Sequence, residues 1–388
     1  MDFALSPQHE EIRRTVREFA ERRIAPVADD FERRAEYPTE IIREAAGLGL
    51  LGVPYPEEVG GTGLDSLAYA ITIEELARVS GSVAIIVSAH TSLGCYPLFI
   101  AGTAEQKERF LRPLASGDKL GAYGLTEPAA GSDSRGTRTR AHRDGESWVL
   151  NGGKRFITNA GVADTYIITA VTDRSAKTGK ISAFIVEADA PGFSIGRLEE
   201  KMGLHASRTG ELLFNDCRIP AGNLLGEEGE GDKLFLKTLD GGRIGIGSMA
   251  LGLAQAAFEA ASAYAKEREQ FGRAIATFQG VAFKIADMAT RIDAARLLVY
   301  RAAWLKDQGR AFTTEAAMAK LFASEVARDV TNDAVQVHGG YGYIAEYKVE
   351  RYLRDAKLTE IGEGTSEIQR LVIARSILGL TERALAQG

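Results

Sequence analysis

The sequence predicts an α+β multidomain protein in three units: a helical unit over residues 1–120, an antiparallel β unit of barrel or sandwich type over 121–228, and a four-helix bundle over 229–388. Three observations predict it. Apolar residues recur at helical spacing up to about residue 120, short β-rich runs broken by glycine turns fill roughly the next hundred residues, and helical spacing returns from Gly229 in longer stretches. At 388 residues the chain is also too long for one ordinary core.

Ser6 and Pro7 give an N-cap and a first-turn proline ahead of Ile12, Val16 and Phe19, so the chain opens on an amphipathic helix. PTEIIREAAGLGL, SLAYAITIEELARV and VAIIVSAHTSLG extend the helical pattern, interrupted by the loop PEEVGGTGL. The third of these is apolar on nearly every face, which suits a helix buried all round or one lining an apolar pocket. In the middle unit WVLNGGKRFIT turns about a glycine pair, TYIITAVTD and ISAFIVEAD read as strands, and ELLFNDCRIP alternates before a proline stop. The last unit begins with GDKLFLKTLDGGRIGIGSMALGLAQAAFEAASAYAKERE, long enough for one helix of about 35 residues or about 50 Å. Gly241, Gly242, Gly245 and Gly247 lie inside it, each costing about 0.5 to 1 kcal/mol relative to alanine. Either the helix starts later, or a backbone or ligand packs closely against these positions.

Composition excludes several classes. The 47 basic and 53 acidic residues are interspersed, net charge is −6, and nothing resembles a nucleic-acid footprint or a polybasic membrane patch. Two cysteines far apart, Cys95 and Cys217, offer neither a disulfide framework nor a zinc ribbon and fit a reducing compartment. The N-terminal MDFALSPQHEE lacks the features of a secretory signal, and uninterrupted apolar runs fall short of a membrane span, so a cytoplasmic protein is expected. P-loop, strand-linked GxGxxG, HExxH and GxSxG patterns are absent, and the five histidines lack metal-ligand spacing, so no metal is expected.

Near the C-terminus the chain reads TEIGEGTSEIQRLVIARSILG. Ser366 and Gln369 have capping-box spacing, Ile368, Leu371 and Val372 form an apolar stripe, and Gly379 suits a C-cap. Glu363 serves none of this. Its neighbours Gly362 and Gly364 carry no Cβ, so a flat ligand can approach and meet the carboxylate, although an exposed acidic turn is the plainer reading.

Four stretches decide between them: YGLTEPAAGSD (123–133), KRFITN (154–159), the pair REQFGRAIATFQ with QVHGGYGY (336–343), and EGTSEIQR (363–370). In this order, over essentially the whole chain, they resemble the acyl-CoA dehydrogenase family of flavoproteins, and TLDGGRIGIGSMALGLAQ with AAMAKLFASE looks most like its short-chain, butyryl-type branch. The resemblance implies FAD as cofactor and an acyl-CoA as substrate, which loses its α proton to Glu363 and its β hydride to the flavin, giving a trans-2-enoyl-CoA. It implies that the backbone N–H of the base residue and a flavin ribityl hydroxyl polarise the thioester carbonyl. In one family branch the base stands instead on the long helix beside the arginine that here is Arg243; that position is Gly242.

The resemblance further implies a flavin wall of Tyr123, Leu125, Thr126, Ser132, Phe156, Ile157 and Thr158. It implies a grip on the FAD pyrophosphate and adenosine by Arg268, Phe271, Gln279, Gln336, Val337, His338, Gly339 and Gly340, partly across a subunit boundary, completed by Thr365 and Glu367. Ser132, Asp240, Arg243 and Gly364 match substrate-contacting positions. Read without the family, QVHGGYGY is a helix cap and turn, and Asp240 with Arg243 a helix-surface pair. Two departures stand out: Phe156 replaces the usual tryptophan, and Gly362 a tyrosine common in short- and medium-chain relatives, which widens the space beside the base for a branched acyl group. An electron-transfer flavoprotein as acceptor and a homotetramer, a dimer of dimers, are implied by the family alone. An acyl-CoA oxidase using O₂, a flavin-containing nucleic-acid binder and a nitroalkane oxidase are the alternatives on the same fold; the last uses aspartate where Glu363 stands.

Overall fold

The computed structural model describes residues 3–173 and 180–380; residues 1–2 and 381–388, at the ends of the two expected helical units, lie outside the described residues. Helix α1 (Pro7–Phe19) starts as expected, with Ser6 Oγ accepting from the His9 N–H at 3.2 Å. Helices α2 (Ala28–Arg34), α3 (Thr39–Gly47), α4 (Ser66–Ala77) and α5 (Gly81–Ser88) follow, and α5 continues through a π-helical stretch, Ala89–Cys95. Short helices α6 (Tyr96–Ala101), α7 (Ala104–Gln106) and α8 (Arg112–Ala115) close the first unit. Every residue from Gly81 to Cys95 is buried, as the all-round apolar pattern requires. The segments Gly81–Ala101 and Gly231–Glu267 are apolar and long enough to cross a membrane, but 83% and 78% of their most apolar windows are buried inside the protein.

The middle unit is an eight-stranded sheet: β1 (Gly121–Gly124), β2 (Arg140–Asp144), β3 (Ser147–Thr158), β4 (Thr165–Asp173), β5 (Lys180–Glu187), β6 (Phe193–Leu198), β7 (Thr209–Pro220) and β8 (Leu224–Leu225). Its order is β6-β7-β3-β2-β4-β5-β8, with β1 beside β4. The expected antiparallel unit is a mixed sheet. β1 runs parallel to β4, and β2 meets β4 in parallel at Arg140 and Val171. The reason is delivery: β1 enters from α8 rather than through a hairpin, so no tight turn fixes its direction. In β3 the pairing slips between Lys154 and Ile157, and Phe156 takes φ 60° with its ring exposed.

The last unit comprises α9 (Gly231–Glu267), a small hairpin of β9 (Glu269–Gln270) and β10 (Arg273–Ala274), then α10 (Gln279–Asp307), α11 (Thr313–His338), α12 (Val349–Thr359) and α13 (Ser366–Leu378). Helices α9, α10 and α11 pack on one another, and α4 of the first unit lies along α9 and α10. The two helical units therefore share one core, in which Ile73 and Leu76 join Met249, Leu251, Val299 and Ala323. A second cluster fills one face of the sheet, and a third, including Tyr55, Leu93, Tyr123, Ile167 and Phe235, welds sheet to helices.

Helix α9 is unbroken through its glycines, so the close-approach reading holds. A Cβ on Gly242 would overlap the Glu363 carboxylate, one on Gly245 the Tyr69 and Ser88 hydroxyls, and one on Gly252 the Glu74 carbonyl. One expectation at α13 is corrected: the N-cap is Thr365, whose Oγ1 accepts from the Ile368 N–H at 3.3 Å, and Ser366 is already inside the helix. Gln369 is thereby released from the expected capping box and bonds elsewhere.

Candidate active site

Glu363 occupies the turn between α12 and α13 at φ 55°, a left-handed conformation unusual for a residue with a Cβ, and Gly364 follows at φ 97°. Two side chains hold the turn from below. Gln369 Nε2 donates to the Glu363 and Gly364 carbonyls at 3.3 and 2.8 Å, and Lys320 Nζ of α11 donates to the Gly364 carbonyl at 2.7 Å. The turn directs the carboxylate onto the bare face of α9 at Gly242, beside Leu93. The residue keeps some contact with solvent, yet its Oε2 is sealed from it and has no hydrogen-bond partner among the described residues. Burial pushes this carboxyl up from 4.5 to about 7, against the pull of Lys320 and Arg243. A carboxylate poised near neutrality and unengaged at one oxygen has the properties of a general base.

Arg243, one residue beyond Gly242, is buried and paired with Asp240 one turn before it; Asp240 also accepts from Thr313 Oγ1 at 2.6 Å. The reading of this pair as a surface feature fails on its burial: Arg243 is 5% exposed. Its Nε lacks a partner among the described residues.

Tyr123 at the end of β1 is buried, stacked on Phe235 at 4.2 Å, and donates to the Phe235 carbonyl at 3.2 Å. Leu125, Thr126 and Thr158 are half-buried, Ser132 is exposed, and the Phe156 ring stands 59% exposed against the Arg155 guanidinium. Ile157 differs from its expected role: its side chain is 3% exposed and belongs to the sheet core, leaving only backbone for a ligand. The loop from Leu125 to Thr139 is fastened by a feature that sequence reasoning missed. Glu127 accepts from the Arg138 and Thr139 N–H groups, from Thr137 Oγ1, and from Lys154 Nζ at 2.7 Å. Burial pulls Lys154 down to about 8 even so, while Glu127, overcoming its own burial through Lys154 and its other donors, falls to about 2. Both residues stand in the quoted stretches, but only the fold shows that Glu127 and Lys154 meet.

Five of the remaining residues gather at the other end of α9, and Thr365 and Glu367 stay with the Glu363 turn. Arg268, Val337, His338, Gly339 and Gly340 line a cleft of about 490 Å³ with Tyr264, Gln270, Ile275, Tyr341 and Ile344. The cap-and-turn reading of QVHGGYGY holds, since Gly339 at φ 60° ends α11, and Val337, His338, Gly339 and Gly340 also line the cleft. His338 stacks on Tyr264 at 4.2 Å and bonds the Ala334 carbonyl through Nδ1, and burial lowers its pKa. Gln279 and Gln336 are exposed, and Phe271, at 94% exposure, projects from the hairpin. Thr365 caps α13, and the pKa of the exposed Glu367 in its first turn is lowered by its own backbone N–H at the helix N-terminus and then by the Thr365 hydroxyl.

The residues present fit FAD. The exposed Phe156 ring and the half-buried Thr158 on β3, with the half-buried Thr126 just beyond β1, offer an aromatic and polar surface suited to the ring system. At the cleft, Arg268 rests on the Tyr341 ring at 5.4 Å, and the backbones of Gly339 and Gly340 have open space where a Cβ would stand, which suits a diphosphate. No residue of the cleft lining belongs to β1, β3 or the Glu363 turn.

Comparison with known proteins agrees. Family models of the N-terminal, middle and C-terminal domains of acyl-CoA dehydrogenase match residues 6–118, 122–217 and 229–378. The short-chain-specific acyl-CoA dehydrogenase of Clostridium acetobutylicum is 52% identical over 377 residues, 97% of this chain and 100% of that protein. Butyryl-CoA dehydrogenase from Megasphaera elsdenii superposes with a TM-score of 0.96 at 48% identity, covering 97% of this chain and 100% of that one. So does a chain solved in work on the electron-transferring flavoprotein of Acidaminococcus fermentans, with TM-score 0.96, 49% identity and the same coverages. The chain belongs to the acyl-CoA dehydrogenase family of FAD-dependent oxidoreductases.

Proposed function

We propose that the protein oxidises a short-chain acyl-CoA to its trans-2-enoyl-CoA with Glu363 as the base. The observation that carries this is the Glu363 carboxylate, sealed and unpartnered at Oε2 and held over the glycine face of α9. The α carbon of a thioester docked on that face meets the free Oε2, and the carboxyl, buried to about pKa 7, takes the proton at physiological pH. The N–H of Glu363 donates to the thioester oxygen as enolate charge develops; one preorganised donor of this kind contributes about 2.7 to 4 kcal/mol. FAD, when bound, supplies the hydride acceptor. Arg243 and Lys320 offset the carboxylate's charge.

A short chain is supported by the same helix. One turn beyond Gly242, the Tyr69 hydroxyl and Ser88 Oγ, bonded to each other at 2.9 Å, occupy the room above Gly245 and limit depth. Branching is supported at Gly362, where the heavy atoms nearest an added Cβ are those of Leu358, at 3.5 to 3.8 Å. An electron-transferring flavoprotein is proposed as acceptor, as befits the similarity to the Acidaminococcus-related chain. Assembly as a homotetramer is supported by the exposed Phe271, Phe283 and Tyr343, and a cytoplasmic location by two buried free thiols.

The test is the visible flavin spectrum under anaerobic addition of butyryl-CoA, with Glu363→Gln alongside. The flavin band bleaches in the native protein and persists in the variant; comparable bleaching by isobutyryl-CoA supports the wider pocket. Flavin that no acyl-CoA bleaches would overturn the activity, and a Glu363→Gln variant that bleaches at the native rate would overturn the base.

A further inference from the structure

Lys320 is an unusual choice for its position. It sits on α11 with 0% exposure, among the largest fully buried side chains of the described residues, and among those residues its Nζ donates to one group only, the Gly364 carbonyl at 2.7 Å. No carboxylate lies within ion-pair distance of it among the described residues. The nearby Glu360 is already engaged by Arg328 and Lys357 at 2.8 and 2.6 Å. A buried ammonium without a contact counter-ion costs several kcal/mol, and a methionine of similar length would fill the same space without that cost. Such an arrangement points away from packing as the reason for the charge.

We propose that Lys320 is a positioning residue for the base: its ammonium clamps the Gly364 carbonyl and serves as the unbonded counter-charge that keeps the Glu363 carboxylate ionised over Gly242. The proposal rests on Glu363 being the base. Gln369 performs the clamp a second time without charge, so the two roles are separable: Gln369 fixes the turn, and Lys320 fixes the turn and the charge. The charged and titratable groups around Glu363 are few. Arg243 faces it from α9 and is engaged by Asp240, Tyr69 faces it from α4 and Tyr123 from β1, both neutral and bonded, and Glu360 and Glu367 flank it on its own segment. Burial lowers Lys320 to about 8 while Glu363 is its largest source of support, and Lys320 precedes Arg243 among the charges that oppose the rise at Glu363.

The experiment uses the FAD-loaded enzyme with Lys320→Met, Lys320→Gln, Lys320→Arg and Gln369→Leu. Two readouts are taken: the pH dependence of kcat and KM with butyryl-CoA, and an infrared titration of the Glu363 carboxyl with ¹³C-labelled glutamate, identified by its loss in Glu363→Gln. In the unaltered protein the carboxyl titrates near 7. In both neutral Lys320 variants it moves up by roughly one unit, with kcat down roughly tenfold or more at pH 7 and KM little changed. Lys320→Arg keeps the midpoint, and Gln369→Leu lowers kcat without moving it. If the neutral variants hold FAD and titrate as the unaltered protein does, or if neither holds FAD, Lys320 is a structural lysine and the proposal is overturned. The infrared midpoint does not depend on turnover, so a failure of the dehydrogenase reading is distinguishable from a failure of this one.

Discussion

At the scale of the residue, Glu363 is held against its own preferences, in a left-handed backbone and with its charge buried. Such a group stores free energy that the rest of the fold must offset. The consequence is a linkage with a definite sign. The folded carboxyl keeps its proton to about pH 7, the unfolded one to about 4.5, so between those values the folded state binds more protons and stability falls as pH rises. Above the window the penalty is complete. Glu363→Gln is therefore expected to be inactive yet more stable at pH 8, by on the order of 2 kcal/mol, or roughly 2 to 4 °C in Tm, with the gap closing toward pH 4. Paired melting curves at the two pH values check it, and an unstable variant at pH 8 would show that the carboxylate is not strained. With Glu363 as the proposed base, the activity of the native enzyme is expected to rise through about pH 7, which a pH profile of kcat checks. The glycine flanks drew attention to Glu363 in the sequence, but only partly for the right cause: Gly364 needs φ 97°, Glu363 itself takes the left-handed geometry, and Gly362 is not forced to be glycine by its backbone. Lys320 was illegible, because a lysine in AAMAKLFASE looks like a solvated helix residue until α13 covers it.

At the scale of the element, α9 and β3 carry the site. The glycines of α9 were visible as an energetic anomaly, and the structure supplies its cause in three close approaches along one helix face. Gly242→Ala tests that cause directly. Removing a helix-interior glycine favours the helix by about 0.5 to 1 kcal/mol, while the new Cβ displaces the Glu363 carboxylate, a movement of about 1 Å that can cost roughly a hundredfold in rate. The expected variant is at least as stable as the native protein and 10 to 100 times slower, roughly, by kcat; unchanged kcat would mean that the carboxylate does not rest on that face during turnover. On β3 the bulge that exposes Phe156 and the buried Lys154 are one device, since Glu127 reaches across 27 residues of sequence to tie the preceding loop to the strand. Lys154→Met strands a buried carboxylate and is expected to cost about 3 to 5 kcal/mol and the bound flavin, whereas adding Glu127→Gln recovers part of both. Melting temperature and the ratio of flavin to protein absorbance read the two effects. The loop's register was not legible in sequence, because strand pairing joins residues that local pattern cannot connect.

At the scale of the whole molecule, the helical–β–helical order was legible and the shared core of the two helical units was not, since the packing of α4 along α9 joins segments more than 150 residues apart. The same non-local logic bears on the cofactor. The wall for the flavin ring and the cleft for the diphosphate fit FAD separately, yet the cleft lining includes nothing from β1, β3 or the Glu363 turn, while Phe271 beside it is 94% exposed. On the proposed assembly, two chains would exchange these halves around a two-fold axis, each giving its cleft to the other's flavin wall. Complementation then follows from symmetry. Glu363→Gln lacks the base and keeps the Arg268 cleft, whereas Arg268→Ala lacks the cleft's cation and keeps the base. In a mixed dimer one site receives both defects and the other receives neither. Co-expression of the two inactive chains in equal amounts is therefore expected to restore about a quarter of the native sites, measured by butyryl-CoA turnover against total subunit. If cleft and base serve the same flavin within one chain, every site in the mixture keeps one defect and no activity returns.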